Sequence, residues 1–222
     1  MRALIGIAAL SLIACSSAAP TGDPTKPDPN KPVQPVEPAP VPVYTTADYP
    51  TAPYGIEPGS TLADFEWTAV LAGAPKGTSS KIKLSDYYDP DGARGINAVL
   101  YVTSAEWCGA CRAEAQTFES KIRSDWGAKG VLLLEAMIED IPRVRTLEAI
   151  LPAIDRWRSQ YGLIDVTMPA DPTFHFARSG TNGLPVNIIF DPRTMIVKAR
   201  LDGFGPAAES AINSLVNANK IQ

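Results

Sequence analysis

The sequence predicts an α/β protein in which helices flank a central mixed β-sheet, preceded by a disordered proline-rich tail. More than half of the 21 prolines lie before residue 60, whereas the chain from about Gly55 onward has the composition of a folded domain. Beyond that point, apolar β-branched runs alternate with segments of helical spacing in the order βαβ, α, ββα. The net charge is −4 and no basic stripe is visible, so nucleic-acid binding has little support.

The individual elements follow from composition and from turn residues. A strand at 97–103 is apolar and β-branched, which is typical of a strand buried on both faces. Gly127 and Gly130 end the helix that follows it, and Pro206 suits the first turn of the last helix. The stretch from Gly162 to Gly183 is predicted to be rich in loops. In chain order, the predicted strands are 65–71, 81–84, 97–103, 131–138, 186–190 and 195–201, and the predicted helices are 112–125, 147–161 and 206–218.

The N-terminus has the pattern of an export signal. Arg2 precedes an apolar run from Ala3 to Ala14, which is shorter than the roughly 20 residues that a membrane-spanning helix needs. The sequence Leu12-Ile13-Ala14-Cys15 resembles the bacterial lipobox, and this implies cleavage before Cys15 and lipidation of that cysteine. An ordinary secretory signal cleaved near Ala18 is the alternative. By the lipoprotein sorting rule, Ser16 favours an outer-membrane anchor, with the protein facing the periplasm.

Three segments are therefore expected: a lipoprotein signal peptide at 1–14, a lipidated cysteine with a linker at 15–53, and a folded domain at 54–222. Prolines alternate with small or polar residues from Pro24 to Pro42, so the linker favours extended polyproline II geometry. We expect a semi-rigid spacer that holds the domain away from the membrane. A proline-rich motif for a partner domain is the alternative.

Cys108 and Cys111 are the candidate reactive residues. A CxxC pair beside a βαβ pattern is typical of a thioredoxin-like redox motif. Cys108 is expected at the N-terminus of a helix, where free backbone N–H groups stabilise a thiolate and lower its pKa below the roughly 8.5 of a free cysteine. Cys111 would then resolve the mixed disulfide, so no cofactor is needed beyond the Cys108–Cys111 disulfide. Structural zinc needs four ligands, and the domain offers only these cysteines and His175; a purely structural disulfide over so short a loop would stabilise little.

Three motifs resemble those of the TlpA/ResA-type branch of the thioredoxin-like family, which contains extracytoplasmic reductases. They are Lys83–Tyr87, Trp107–Glu114 and Gly183–Val186, and the resemblance extends from Thr61 to Val216. It implies a thioredoxin-like fold and a thiol-disulfide oxidoreductase that acts, in the reducing direction, on protein thiols and disulfides of the cell envelope. A membrane electron donor would supply the reductant. Residues 140–180 match poorly, so the loops that face the substrate are the least transferable part.

The resemblance also implies roles for single residues. Pro185 matches the family's cis-proline, in a loop that faces the cysteines, and the backbone of Leu184 would pair with substrate. Glu114 would border the cysteines and accept the proton of Cys111, because thioredoxin's buried aspartate is replaced here by Val102. A trans proline that opens a strand and a solvated glutamate are the alternatives.

Two neighbouring residues carry weaker expectations. Trp107 is expected to shield the disulfide and to line the docking surface, the alternative being a plain core tryptophan. Glu106 is expected to be a surface residue near the site. Ala110 stands where thioredoxin has a proline, which leaves the reduction potential open.

Two other classes of function are weighed against the reductase. A Sco-like copper-binding carrier would use the cysteine pair with His175, but its cysteines are usually separated by three residues rather than two. A peroxidase would need a threonine and an arginine near its cysteine, in a PxxxTxxC context that the stretch before Cys108 lacks.

Overall fold

The computed structural model describes residues 48–177 and 183–220. Cys15 and residues 1–47 of the predicted signal and linker lie outside the described residues. The strands are β1 (Glu66–Val70), β2 (Ser80–Lys83), β3 (Ala98–Ser104), β4 (Val131–Met137), β5 (Met168–Ala170), β6 (Val186–Phe190) and β7 (Val197–Asp202), and the α-helices are α1 (Gly109–Lys121), α2 (Leu147–Tyr161) and α3 (Pro206–Asn219). None of these helices is long and apolar enough to cross a membrane.

One mixed sheet contains all seven strands, in the order β2-β1-β5-β4-β3-β6-β7. The central strand β3 pairs in parallel with β4 and antiparallel with β6. All seven residues of β3 are buried, which explains why Ala98–Val102 is continuously apolar rather than alternating. The predicted α/β fold with a mixed sheet flanked by helices is confirmed.

The sheet buries a different cluster on each face. Leu100 and Val102 of β3 point into a cluster that receives the buried side chains of all three helices, including Cys111, Trp157 and Ile212. The alternate residues Val99 and Tyr101 point into a second cluster. Short irregular segments cover that second face, and they contribute Leu62, Leu84 and Phe176. Both cysteines therefore lie on the side of the sheet that the three helices cover, which we call the helical face.

The prediction of a loop from Gly162 to Gly183 is wrong at β5. This strand has only three residues, and it lies between β1, with which it is antiparallel, and β4, with which it is parallel. Pro169 occupies its middle position. A three-residue run with a central proline carries no period-2 signal, so only its neighbours in the sheet make it a strand.

The first helix is shifted towards the cysteines relative to the prediction. Helix α1 starts at Gly109 and ends at Lys121, and a π-helical turn and a 3-10 turn continue it to Lys129. Gly130 then turns the chain into β4 with a φ of 70°. A Cβ atom at Gly130 would lie 2.1 Å from the carbonyl oxygen of Gly95, so this close approach requires glycine.

The packed part of the chain includes residues that the sequence assigns to the linker. Tyr49 is buried, and its ring centroid lies 5.7 Å from that of Tyr88 in an edge-to-face arrangement. The hydroxyl of Tyr54 donates to the carbonyl oxygen of Pro50 at 3.0 Å. Contacts with the domain therefore begin before the predicted boundary at residue 54.

Candidate active site

The two domain cysteines lie at the start of α1 and form a disulfide. Cys108 is the N-cap residue of the helix, and the backbone N–H of Cys111 donates to its Sγ atom at 3.1 Å. Cys108 is 4% exposed, whereas Cys111 is fully buried. A thiolate at Cys108 would be stabilised by this N–H and by the positive end of the helix dipole. Cys108 is thus the sulfur that an incoming reactant can reach first.

The loop before β6 lies against the reactive cysteine. The Leu184–Pro185 peptide bond is cis, as the family resemblance implies. The carbonyl oxygen of Leu184 lies 3.6 Å from the Sγ atom of Cys108. The carbonyl of Pro185 accepts a hydrogen bond from the backbone N–H of Gly203 at 2.9 Å, which ties the loop to the end of β7. The backbone of Leu184 therefore lies directly beside the sulfur that an incoming reactant would reach.

Trp107 is half-buried and is held by the loop between β4 and α2. Its indole N–H donates to the carboxylate of Glu139 at 2.6 Å. The guanidinium of Arg143 stacks on the ring at 4.2 Å from the centroid. Both partners lie in or next to the 140–180 region that matches the family poorly, so the sequence carries no signal for these contacts.

Glu106 is buried, so its prediction as a surface residue is wrong. Its carboxylate accepts two hydrogen bonds from the guanidinium of Arg156 at 2.7 Å each, and one from the backbone N–H of Ile141 at 3.1 Å. A buried carboxylate is tolerated when it is paired and hydrogen-bonded in this way. Arg156 comes from α2, and its pairing with a residue 50 positions earlier is a tertiary contact that local sequence does not reveal.

Glu114 is half-buried on α1 and binds the start of β6 and the loop after β7. Its carboxylate accepts the backbone N–H of Phe204, and it accepts the side-chain amide of Asn187 at 3.3 Å. Burial raises the pKa of Glu114 above its ordinary value, although these two hydrogen bonds act in the opposite direction. It also lines an open cleft of about 340 Å³ between α1 and the start of α3. Glu114 is therefore not a solvated helix glutamate.

Glu135 is a second carboxyl group under the helical face, and the sequence analysis missed it. It is fully buried on β4, and in the sheet register it is the partner of Val102. One carboxyl oxygen accepts the Ser104 hydroxyl at 3.0 Å and the Trp157 indole N–H at 2.9 Å; the other has no hydrogen-bond partner among the described residues. Burial raises its pKa from 4.5 to about 8. The available signal was a single glutamate inside the otherwise apolar strand VLLLEAM.

His175 is not brought together with the cysteines. Its Nδ1 atom lies 2.6 Å from the carboxylate of Asp171, and its ring packs on Phe65 and Trp67. Trp67 belongs to the cluster on the face opposite to Cys108. Within residues 48–177 and 183–220, no group of three or more His, Cys, Asp or Glu side chains is arranged to hold a metal ion.

The sheet order, the N-capping cysteine and its bonded partner define a thiol-based oxidoreductase with a thioredoxin-like fold. The model of the AhpC/TSA family matches residues 58–199, more than half of the sequence, and the chain belongs to this family. No curated protein sequence matches the chain.

Solved structures of low sequence identity share the fold. A thiol:disulfide interchange protein DsbE from Chlorobium tepidum is 22% identical, with a TM-score of 0.51, over 74% of this chain and 99% of that one. The thioredoxin domain of a thiol-disulfide oxidoreductase from Bacteroides vulgatus is 17% identical, with a TM-score of 0.50, over 73% and 100%. AhpC from Enterococcus faecalis is 15% identical, with a TM-score of 0.51, over 72% and 91%. At these identities, the similarity shows the fold alone.

Proposed function

We propose that this protein is a TlpA/ResA-type thiol-disulfide oxidoreductase that reduces disulfides of proteins in the bacterial cell envelope. One observation carries the proposal: Cys108 caps α1 beside the Leu184 carbonyl, while its bonded partner Cys111 is fully buried. This arrangement offers one accessible sulfur for exchange and keeps the second for intramolecular attack. The DsbE and thiol-disulfide oxidoreductase neighbours share the fold on which it is built.

The reaction transfers two electrons from the cysteine pair to a substrate disulfide. In the reduced protein, the Cys108 thiolate attacks one substrate sulfur, the substrate S–S bond breaks, and a mixed disulfide forms as one substrate thiol leaves. Cys111 then loses its proton and attacks the Cys108 sulfur. The mixed disulfide breaks, the second substrate thiol leaves, and the Cys108–Cys111 disulfide forms. A dithiol donor must reduce that disulfide before the next cycle.

Glu114 is proposed to accept the proton of Cys111 in the second step. It lies three residues after Cys111 on α1, on the same side of the helix. Its partly buried carboxyl has a raised pKa, so its proton affinity is closer to that of a thiol. Phe204 and Asn187 hold the carboxyl in place.

We expect Glu114→Gln to slow resolution of the mixed disulfide by about a hundredfold, the lower range for loss of a general base. Glutamine keeps the size of the side chain and an oxygen for the Phe204 N–H, but it cannot take up a proton. Stopped-flow measurement of thiol release from pH 4 to 9 checks this. The wild-type rate should rise with pH as the Glu114 carboxyl ionises, whereas the variant should rise only at higher pH, with the thiol itself. Equal pH profiles would remove Glu114 from the proton transfer.

The location is proposed from the N-terminal motif. Lipidation of Cys15 would anchor the protein in the envelope membrane, on the periplasmic side of the outer membrane by the sorting rule. The proline-rich linker would set the reach of the domain. Because the periplasm is kept oxidising, the reductant must come from an electron donor in the membrane.

Peroxide reduction is the second candidate, because the chain belongs to the AhpC/TSA family and shares its fold with an AhpC. The positions at which a PxxxTxxC motif would place proline and threonine hold Tyr101 and Ala105 here. Both side chains are fully buried. The residues that activate a peroxidatic cysteine are therefore replaced, and disulfide exchange is favoured.

One pair of assays separates these functions. With dithiothreitol as the reductant, the full chain in mild detergent should accelerate insulin disulfide reduction well above the rate of dithiothreitol alone. It should leave hydrogen peroxide consumption at the background rate. In glutathione buffers, a Cys108–Cys111 potential near about −270 mV supports a reductase, whereas one near about −120 mV indicates an oxidant. Rapid peroxide consumption without insulin reduction would establish the peroxidase instead.

A further inference from the structure

The loop between β4 and α2 is built to present one arginine at the active site. The side chain of Asp140 accepts the backbone N–H of Val144 at 2.7 Å, and its carbonyl accepts the N–H of Arg143 at 3.0 Å. Arg143 has a φ of 66°, in the left-handed region that non-glycine residues rarely adopt. Such a conformation persists where surrounding contacts enforce it, and it is common at binding sites.

The guanidinium of Arg143 lies on the residue next to the nucleophile. It stacks on the Trp107 ring at 4.2 Å, and the Trp107 N–H is bound by the buried carboxylate of Glu139. The described residues offer Arg143 no carboxylate partner within ion-pairing distance. Its charge is therefore available to a molecule that approaches Cys108.

The two arginines beside this surface keep part of their side chains exposed, whereas the carboxylates that they bind are buried. The carboxylates of Glu106 and Glu139 are buried, and each is occupied by an arginine. The arginine side chains that bind them, Arg156 and Arg145, are 51% and 60% exposed. Glu148, in the first turn of α2, lines a separate cleft with Thr78. A chain that binds here meets guanidinium N–H groups although the whole protein is acidic.

Exposed apolar side chains flank the arginine. Ile141 is 57% exposed and Val144 is 40% exposed, and they are two of the four large hydrophobic side chains that are exposed in the described part of the chain. Guanidinium groups bind carboxylates with directed hydrogen bonds, and apolar neighbours strengthen such contacts by excluding water. The complementary partner is a peptide segment that carries both carboxylate and apolar side chains.

We infer that Trp107, Ile141, Arg143 and Val144 form a docking surface for the substrate segment that contains the reacting disulfide, and that it selects segments with a carboxylate beside the cysteine. The inference rests on the proposed reductase function and names the substrate class of that same site. No covalent step is added to the cycle; the surface decides which disulfides reach Cys108.

The test uses two synthetic peptides of equal length with one internal disulfide. Aspartates flank the cysteines in one peptide, and lysines flank them in the other. With dithiothreitol as the donor, the full chain in mild detergent should reduce the acidic peptide with a kcat/KM roughly tenfold higher than that of the lysine peptide at low salt. A factor of this size corresponds to about two surface charge contacts. High salt should weaken the preference.

Three variants assign the preference to Arg143. Arg143→Gly suits the left-handed turn, so it removes the guanidinium without disturbing the loop. Arg143→Glu reverses the charge, and it should invert the preference. Arg123→Glu is the matched control, because Arg123 is an exposed arginine that pairs with Glu119 just beyond the C-terminal end of α1. It should keep the wild-type preference.

Equal kcat/KM values for the two peptides, or a preference that Arg143→Gly and Arg143→Glu leave intact, would overturn the inference. Failure of the reductase function has a different signature, since neither peptide would then be reduced faster than by dithiothreitol alone. Calorimetry with versions of both peptides that carry serine for cysteine tests docking without turnover. Tighter binding of the acidic version, lost in Arg143→Gly, supports the docking surface; equal affinities contradict it.

Discussion

Cys108→Ser is expected to abolish disulfide reduction, with turnover lower by about a thousandfold or more, as for loss of a catalytic nucleophile. Cys108 is the N-cap of α1, it accepts a backbone N–H from Cys111, and it is the only one of the two sulfurs with any exposure. A serine hydroxyl in the same place stays protonated at neutral pH and does not attack a disulfide. Insulin reduction measures the loss.

Cys111→Ser should behave differently, since the first attack needs only Cys108. The mixed disulfide with substrate then has no resolving thiol and accumulates. Non-reducing mass spectrometry after addition of a disulfide-bonded peptide should detect the adduct in Cys111→Ser and not in Cys108→Ser. Cys15→Ser is the control and should retain turnover. An adduct in Cys108→Ser alone would reverse the roles of the two cysteines.

The elements that local sequence predicted well are those with a regular apolar pattern. Helix α2 and strand β6 begin and end at the predicted residues, and β3 is displaced by one. Strands β3 and β6 are buried at every position, and α2 buries residues at helical spacing, so each pattern has one interpretation. Strand β5 failed because its three residues are held by pairing with β1 and β4, and such pairing is invisible in a window of local sequence.

The same distinction between local motifs and distant pairing applies to the residues of the site. The cysteine pair, the cis peptide before Pro185 and the position of Glu114 on α1 follow from short motifs within single segments. The partners that hold these residues in place do not. Arg156 reaches Glu106 across 50 positions, and Glu139 reaches Trp107 across 32. These contacts depend on how the β4–α2 loop packs on the start of α1, in the region with the weakest family resemblance.

Glu135 shows how a tertiary position changes the chemistry of a residue. Thioredoxin's buried aspartate is replaced by Val102, yet the register of β3 and β4 places Glu135 beside that valine on the adjacent strand. A buried carboxyl group thus lies beneath the helical face, on β4. Its burial in the fold has a consequence for stability that can be measured without substrate.

We expect the free energy of unfolding of the oxidised protein to fall as pH rises from about 5 to about 8, and Glu135→Gln to remove this contribution. The folded-state pKa of Glu135 is raised from 4.5 to about 8, so between these values the unfolded chain releases a proton that the folded chain keeps. Raising the pH therefore favours unfolding, by up to about 1.4 kcal/mol per pH unit for this one group. Above about pH 8 the folded carboxyl also ionises, and its contribution to the slope ends.

Glutamine can still accept the hydrogen bonds from Ser104 and Trp157, but its amide N–H₂ replaces the carboxyl oxygen that has no hydrogen-bond partner among the described residues. That costs about 1–3 kcal/mol at every pH. Glu135→Gln should thus be less stable than the wild type at pH 5 and should approach or pass it by pH 8. Urea denaturation followed by tryptophan fluorescence gives both curves, and Glu66→Gln, at an exposed position of β1, should retain the wild-type slope. Parallel curves for the wild type and Glu135→Gln would mean that the buried carboxyl is already ionised in the folded protein.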